Sequence, residues 1–459
     1  MEFEIIKKNP LYNALSELGK RIYLPQGVFH WSGRAKKEAE IMGTLGSAFG
    51  FEEDFIEGGS PEWVPLYLED IKNYTKFNVN DVVTYSKISG LVDLKNLWKN
   101  WIIKKSCYKT DSEQEKLNRL ENFITTPIVT AGVTNGIFLC CSLFLNPGDF
   151  IISPNKRWGN YDNIVEKLIG GKIKSFDFFS DRNFNVTGMK NAIYEISKVQ
   201  EKIILILGFP NNPTGYIPNQ EELEEILNAL KETQKAISKP IIILVDDAYE
   251  PYIFSKDVIN RSIFYALHEL EEDIIPIKLD GITKELLLYG GRIGFITIGI
   301  KPHWVKNSQE LTTLKAEIDN KLSGMLRTTI SNANHFYQSL ILKLFDDIGM
   351  DGLIQKREKV IHLLKERYEK INAEFRKIKN KNISVDPNAG GFFIFVNLNP
   401  EVIKANDFAD HLLKKYKVGV IPIEKQHDNI NGIRIAYCSI DIRKIPEFVR
   451  RIDQALRDF

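Results

Sequence analysis

Four short stretches of this 459-residue chain carry side chains that could do chemistry together. Trp158 and Tyr161 come first, then Asn212 through Gly215, then Asp246 through Tyr249. Last comes Lys284, inside the segment 281–294, with Arg292 following it. A lysine amine can join a carbonyl as a Schiff base. An arginine suits a phosphate because its planar guanidinium binds two oxygens at once. An aromatic ring can stack on a flat ligand, and Asn, Asp and Tyr can hold that ligand's polar edges. Any one of these residues alone says little, least of all a single lysine. As an ordered set they supply the groups that a pyridoxal-phosphate site needs.

Such groups need rigid supports. Ile203–Leu207 and Ile241–Val245 are near-continuous aliphatic runs, as are Phe150–Ile152 and Phe295–Ile298. Runs of this kind are expected of strands buried on both faces. Amphipathic stretches such as Gln220–Leu230 lie between them. This alternation predicts an α/β fold with a mostly parallel sheet between helices, with ligands beyond the carboxyl ends of the strands. Asp246 directly follows one strand candidate, and Asn212 comes soon after another. Apolar residues from Leu353 to Phe375 share one helical face and predict a helix over about 351–375. Beyond it, strand candidates at 391–397 and 433–438, and helices near Asp407–Lys415 and Ile445–Leu456, predict a smaller α+β domain. The expected division is 1–80 as an N-terminal segment packing with the small domain, 81–345 as the large domain, and 346–459 as the small one.

Charge is nearly balanced, at formal net +1, so nothing indicates a general attraction to nucleic acid or an anionic membrane. No apolar run reaches the ~20 residues that a membrane helix requires. The seven histidines are scattered and the four cysteines form no paired motif, so no metal site is expected. Cys140 and Cys141 sit in an apolar run, which fits buried thiols and a reducing, cytoplasmic setting.

In order and spacing the four landmarks resemble those of the fold-type I pyridoxal-phosphate enzymes, and within these the aspartate/aromatic aminotransferases. The resemblance covers roughly residues 80–440 and implies a seven-stranded sheet in the large domain. It implies that Lys284 forms the Schiff base and moves the substrate proton. Asp246 would pair with the pyridine nitrogen and keep it protonated, so that the ring acts as an electron sink. Asn212 and Tyr249 would meet the 3-oxygen, and Trp158 the ring face. The turn at Gly132 would cradle the phosphate with the amides of Val133 and Thr134, helped by Thr283 and Arg292. Tyr85 would reach the phosphate of a neighbouring subunit, which implies a homodimer. Arg434 would grip the substrate carboxylate, and Arg327 a side-chain carboxylate across the interface. Gly46 is expected where the N-terminal segment closes over substrate. The chain departs from the family at Gly281, where a phosphate-binding serine is common, and in a long interval between Asn212 and Asp246, read as an insertion.

The leading expectation is an aminotransferase that moves an amino group between an amino acid and a 2-oxo acid, with glutamate or aspartate as one partner. A β-eliminating C–S lyase or an aminocyclopropane-carboxylate-synthase-like lyase is the alternative, because local motifs barely separate chemistries performed by one cofactor. A non-catalytic regulatory or binding protein on the same fold is the third reading. The intact set of Lys284, Asp246 and Arg292 argues against it.

Overall fold

The computed structural model of the chain describes residues 4–8, 10–23, 27–74, 77–107 and 114–459. Its centre is a seven-stranded sheet, ordered Ile128–Thr130, Gly294–Ile298, Ile274–Gly281, Ile241–Asp246, Ile203–Leu207, Phe150–Pro154, Lys172–Phe176. The strands are parallel except for Gly294–Ile298, which runs antiparallel to both neighbours. Successive side chains in Ile241–Asp246 alternate between two cores, as a strand covered on both faces must. Ile241, Ile243 and Val245 join Trp98 and Trp101 of helix Val92–Ser106. Ile242 and Leu244 join Ile137 and Cys140 of helix Val133–Phe144.

Three connections position the chemistry. Strand Ile274–Gly281 passes straight into the one-turn helix Ile282–Glu285, and the chain returns as the antiparallel strand Gly294–Ile298. Lys284 therefore sits in the link between two central strands. The interval between Asn212 and Asp246 is taken up by the helix Gln220–Ile237. Asn219 and Glu222 cap its start reciprocally, each side chain accepting from the other's backbone N–H. Helix Val133–Phe144 follows strand Ile128–Thr130 through Ala131 and Gly132.

A second sheet of four antiparallel strands follows, ordered Ile383–Val385, Phe393–Leu398, Ile430–Ala436, Ile421–Lys425. Helices Ala405–Tyr416 and Ile445–Leu456 share a core with it. The short strand Ile41–Met42 pairs with Val418–Gly419, which ties N-terminal residues to this core. Helical residues run from His335 to Phe375, but the run is two helices joined at Gly349, whose φ of 66° departs from the helical path. The second of them, ending at Phe375, is the helix predicted to begin near 351. Among the described residues no helix is long and apolar enough to cross a membrane.

Candidate active site

Strand ends and turns converge beyond the carboxyl edge of the central sheet. Asp246 closes its strand with a half-buried side chain. Its Oδ2 accepts from the Tyr161 hydroxyl at 2.5 Å, and its Oδ1 from the Ala248 amide at 3.2 Å. Burial pushes this carboxyl above its ordinary value, and those two donors draw it back. A carboxylate held in a dry place without a cation favours a protonated ring nitrogen as partner. Its chain neighbour Asp247 is turned away, towards Ser262 and Lys278.

Lys284 is largely withdrawn from solvent. Its amine donates to the Gly46 carbonyl and faces the rings of Tyr289 at 4.7 Å, Phe392 at 5.7 Å and Tyr249 at 6.0 Å. Burial pushes the amine down to about 8, and Arg434 and Arg292 push the same way. A lysine that loses its proton near neutrality is a competent nucleophile and base. The Tyr252 hydroxyl donates to the Lys284 carbonyl at 2.7 Å and fixes the backbone beneath it. The Tyr249 phenol is raised by burial, with Arg434 opposing, and so remains a donor.

The turn before helix Val133–Phe144 is built for an anion. Gly132 is the N-cap, with φ 82° and ψ 166°, and no side chain caps the first amides. Those N–H groups carry the positive end of the helix dipole. A Cβ on Gly132 would lie 2.5 Å from Arg292 Nη2, so the guanidinium rests directly on this turn. Thr283 Oγ1 lies 3.5 Å from Arg292 Nη1. A Cβ on Gly281 would meet the Ile293 carbonyl at 2.7 Å and Gly294 Cα at 2.8 Å. Two backbones touch there, so a side chain at that position would require the backbone to shift. Pyridoxal phosphate passes the test of fit. Free helix amides and Arg292 suit its phosphate, Asp246 its ring nitrogen, Lys284 its carbonyl carbon.

On the far side Arg434 is buried. Its Nη1 donates to Asn212 Oδ1 at 3.2 Å and its Nη2 to the Thr44 carbonyl at 3.1 Å. Its Nε is buried with no partner, and its guanidinium lies 4.4 Å from the centre of the Phe393 ring. A buried guanidinium with an N–H still unpaired is ready to take a carboxylate. Phe393 also underlies Gly46, where an added Cβ would meet its ring at 3.0 Å. The strip Thr44–Ser47 thus touches both Lys284 and Arg434. Cys438 Sγ donates to the carbonyls of Leu45 and Ser47 and holds the strip in place.

The chain brings together Gly132, Val133, Thr134, Asp246, Tyr249, Thr283, Lys284, Arg292, Asn212, Arg434 and Gly46. Trp158 is half-buried and meets Tyr161 edge to face, with ring centres 5.6 Å apart. Two residues stand apart. Tyr85 is 90% exposed. Arg327 is exposed in the last turn of helix Ser308–Thr329 and donates to Ser331 Oγ at 2.7 Å. Sequence reasoning assigned no role to Tyr289, whose hydroxyl accepts from the Ala48 amide at 2.9 Å while its ring faces Lys284. It also left Tyr161 without its carboxylate partner, and Cys438, Thr44 and Phe393 unassigned. Only the closeness of Tyr161 to Trp158 and of Tyr289 to Lys284 in the chain could have flagged any of them.

Comparison with known proteins points to one family. The family profile described as aminotransferase class I and II matches residues 84–452. An aspartate aminotransferase of Bacillus sp. (strain YM-2) is 25% identical over 351 residues, covering 74% of this chain and 78% of the relative. An aromatic-amino-acid aminotransferase 2 of Thermococcus litoralis is 22% identical over 400 residues, covering 85% and 88%. In fold, a crystal structure of an aminotransferase from Anaerococcus prevotii matches with TM-score 0.77 at 23% identity, covering 96% of this chain and 98% of that one. A Pyrococcus horikoshii kynurenine aminotransferase in complex with PMP matches with TM-score 0.75 at 18% identity, covering 98% of both.

Proposed function

The chain belongs to the class I and II aminotransferase family, and from that premise we propose which residues perform its reaction and which substrates it takes. It is a pyridoxal-phosphate-dependent transaminase. When bound, the cofactor supplies the electron sink that lets an amino acid's Cα–H bond break. Lys284 would hold the cofactor at its carbonyl carbon, and its Nζ is the group that would take the proton from Cα. A proton affinity near neutrality allows it to accept and return that proton. Asp246 keeps the ring nitrogen protonated, and Tyr161 keeps Asp246 aimed. Tyr249 and Asn212 orient the 3-oxygen. The amides of Val133 and Thr134, with Thr283 and Arg292, hold the phosphate. Arg434 fastens the α-carboxylate, and the strip Thr44–Ser47 excludes water above it. One observation carries the assignment: the Lys284 amine and the Arg434 guanidinium are fastened to the same strip, at the Gly46 and Thr44 carbonyls.

Glutamate or aspartate is the proposed donor, in keeping with relatives named aspartate aminotransferase. The reading includes a homodimer in which Tyr85 and Arg327 serve the neighbouring subunit. Support comes from their exposure and from the exposed apolar side chains of Val79 and Val83 beside Tyr85. The large domain would end near residue 345, close to the break at Gly349. The free thiols fit a reducing, cytoplasmic setting. The test is spectroscopic. Glutamate added to the cofactor-loaded protein should abolish the visible absorption and release one equivalent of 2-oxoglutarate, and Lys284→Ala should lack the response. Pyruvate and ammonia from an amino acid with a β leaving group, without exchange, would refute transamination. Loss of absorption with aromatic amino acids but not with glutamate or aspartate would refute the dicarboxylic donor.

A further inference from the structure

Behind the candidate site, and outside its cleft, lies a closed set of buried charges. Lys105 Nζ meets Glu250 Oε2 at 2.8 Å, Asp280 Oδ2 at 3.1 Å and Glu285 Oε2 at 3.1 Å. Lys278 Nζ meets Asp247 Oδ2 at 2.5 Å and Glu250 Oε2 at 2.9 Å. Trp98 donates to Asp280 at 3.0 Å, and Trp101 to Glu285 at 2.7 Å. Arg357, on the long helix, donates to Glu285 at 3.1 Å, and Tyr265 to Glu250 at 3.2 Å. Every one of these side chains is buried. Glu250, Asp280 and Glu285 are close enough to hold a metal ion, but the ammonium of Lys105 stands among them instead.

The chain positions of these groups are informative. Asp247 follows Asp246, Glu250 follows Tyr249, and Glu285 follows Lys284. Asp280 is the last residue but one of the strand that delivers Lys284. Each proposed catalytic side chain faces the cleft while its chain neighbour is anchored in the cluster. Lys105 bonds to both anchored segments, 246–250 and 280–285. Three cations face four carboxylates, and burial raises Asp247 to about 7 and Asp280 above its ordinary value. Burying such charges is a poor route to stability, since an apolar core of the same volume does as well or better. Asp247 Oδ1 and Arg357 Nε are buried without partners, but Glu250, Asp280 and Glu285 each bond to two or more donors, and such a multiply bonded network fixes position.

We propose that Lys105 and Glu285 are positioning residues for the transamination reaction, holding the segment of Lys284 in register with that of Asp246 and Tyr249. The inference rests on the assignment of Lys284 as the cofactor lysine. Misplacing a reacting group by about 1 Å can cost about 10²-fold in rate. Substrate carboxylate binding by Arg434 lies on the other side of the cleft and does not depend on the cluster.

The test compares Lys105→Met and the isosteric Glu285→Gln with the parent, each loaded with cofactor. Three quantities are read: thermal midpoint, the kcat and KM for the amino donor, and the pH at which the visible band changes. That pH reports the surroundings of the Lys284 linkage, which include Tyr249, Tyr289, Asp246, Cys438, Arg292 and Arg434. Expected are a fall in kcat of about tenfold or more, a KM within about threefold of the parent, and a displaced pH midpoint in both variants. A folded, loaded Glu285→Gln with parental kcat and midpoint overturns the proposal, whatever becomes of Lys105→Met. Failure of both variants to fold assigns the cluster to stability alone and also overturns it. A parent protein whose visible band survives Lys284→Ala would sink the Lys284 assignment itself, and this proposal with it.

Discussion

Replacing Lys284 by Met should make the cofactor-free protein more stable below pH 8, although it destroys activity. The amine is held among Tyr249, Tyr289 and Phe392, and burial lowers it from its ordinary 10.5 to about 8. Between these two values the unfolded chain binds a proton that the folded chain does not. Stability therefore rises with pH across that window. Below about 8 both states carry the charge, and the fold bears the whole cost of burying it. That cost is at most about 3 kcal/mol, at 1.36 kcal/mol per pH unit. Losing the hydrogen bond to Gly46 and the ring contacts removes about 1 kcal/mol of the gain. Met fills the same channel without charge, so a net gain of about 1–2 kcal/mol is expected at pH 6.5. By pH 9.5 the difference should have fallen by about 2 kcal/mol. Urea unfolding of both cofactor-free proteins across pH 6.5–9.5 measures this. A variant less stable than the parent at pH 6.5, or a difference that does not change with pH, would refute the reasoning. Added pyridoxal phosphate should reverse the order, because only the parent can bind it through Lys284.

Two further outcomes follow from the same geometry. Gly132→Ala places a methyl 2.5 Å from Arg292 Nη2, in backbone space that only glycine occupies freely. It should weaken cofactor binding at least about tenfold, from strain of about 1–3 kcal/mol, and a fluorescence titration returning parental affinity would contradict the phosphate cradle. Arg434→Leu should raise KM for every amino acid by about 10²-fold, from loss of two charge-assisted hydrogen bonds, with the visible band intact. A parental KM would remove Arg434 from the substrate site.

The sequence by itself determined the chemical cast and much of its framework. Asp246 stands out at the end of an aliphatic run, and Asn212 and Arg292 beside a proline and a glycine that mark turns, whereas Lys284 and Tyr249 are legible only through their place in the ordered set. The strands at 203–207 and 241–246 could be read from their apolar runs, because a strand buried on both faces leaves no room for polar residues. The α/β class and the C-terminal helix Ile445–Leu456 could be read from periodicity. The helix beyond the break at Gly349 could be read in the same way, whereas the helix that starts at His335 and leads into that break could not. Only the tertiary structure decided what surrounds the chemistry. Gly46 covers Lys284 from 238 positions away, and Thr44 meets Arg434 from 390 positions away. The Lys105 ammonium reaches Glu285 across 180 positions, and Tyr161 reaches Asp246 across 85. Local patterns record which face of an element is apolar. They do not record which distant element that face will meet, and a lysine bound for a buried carboxylate reads in the chain like one bound for water.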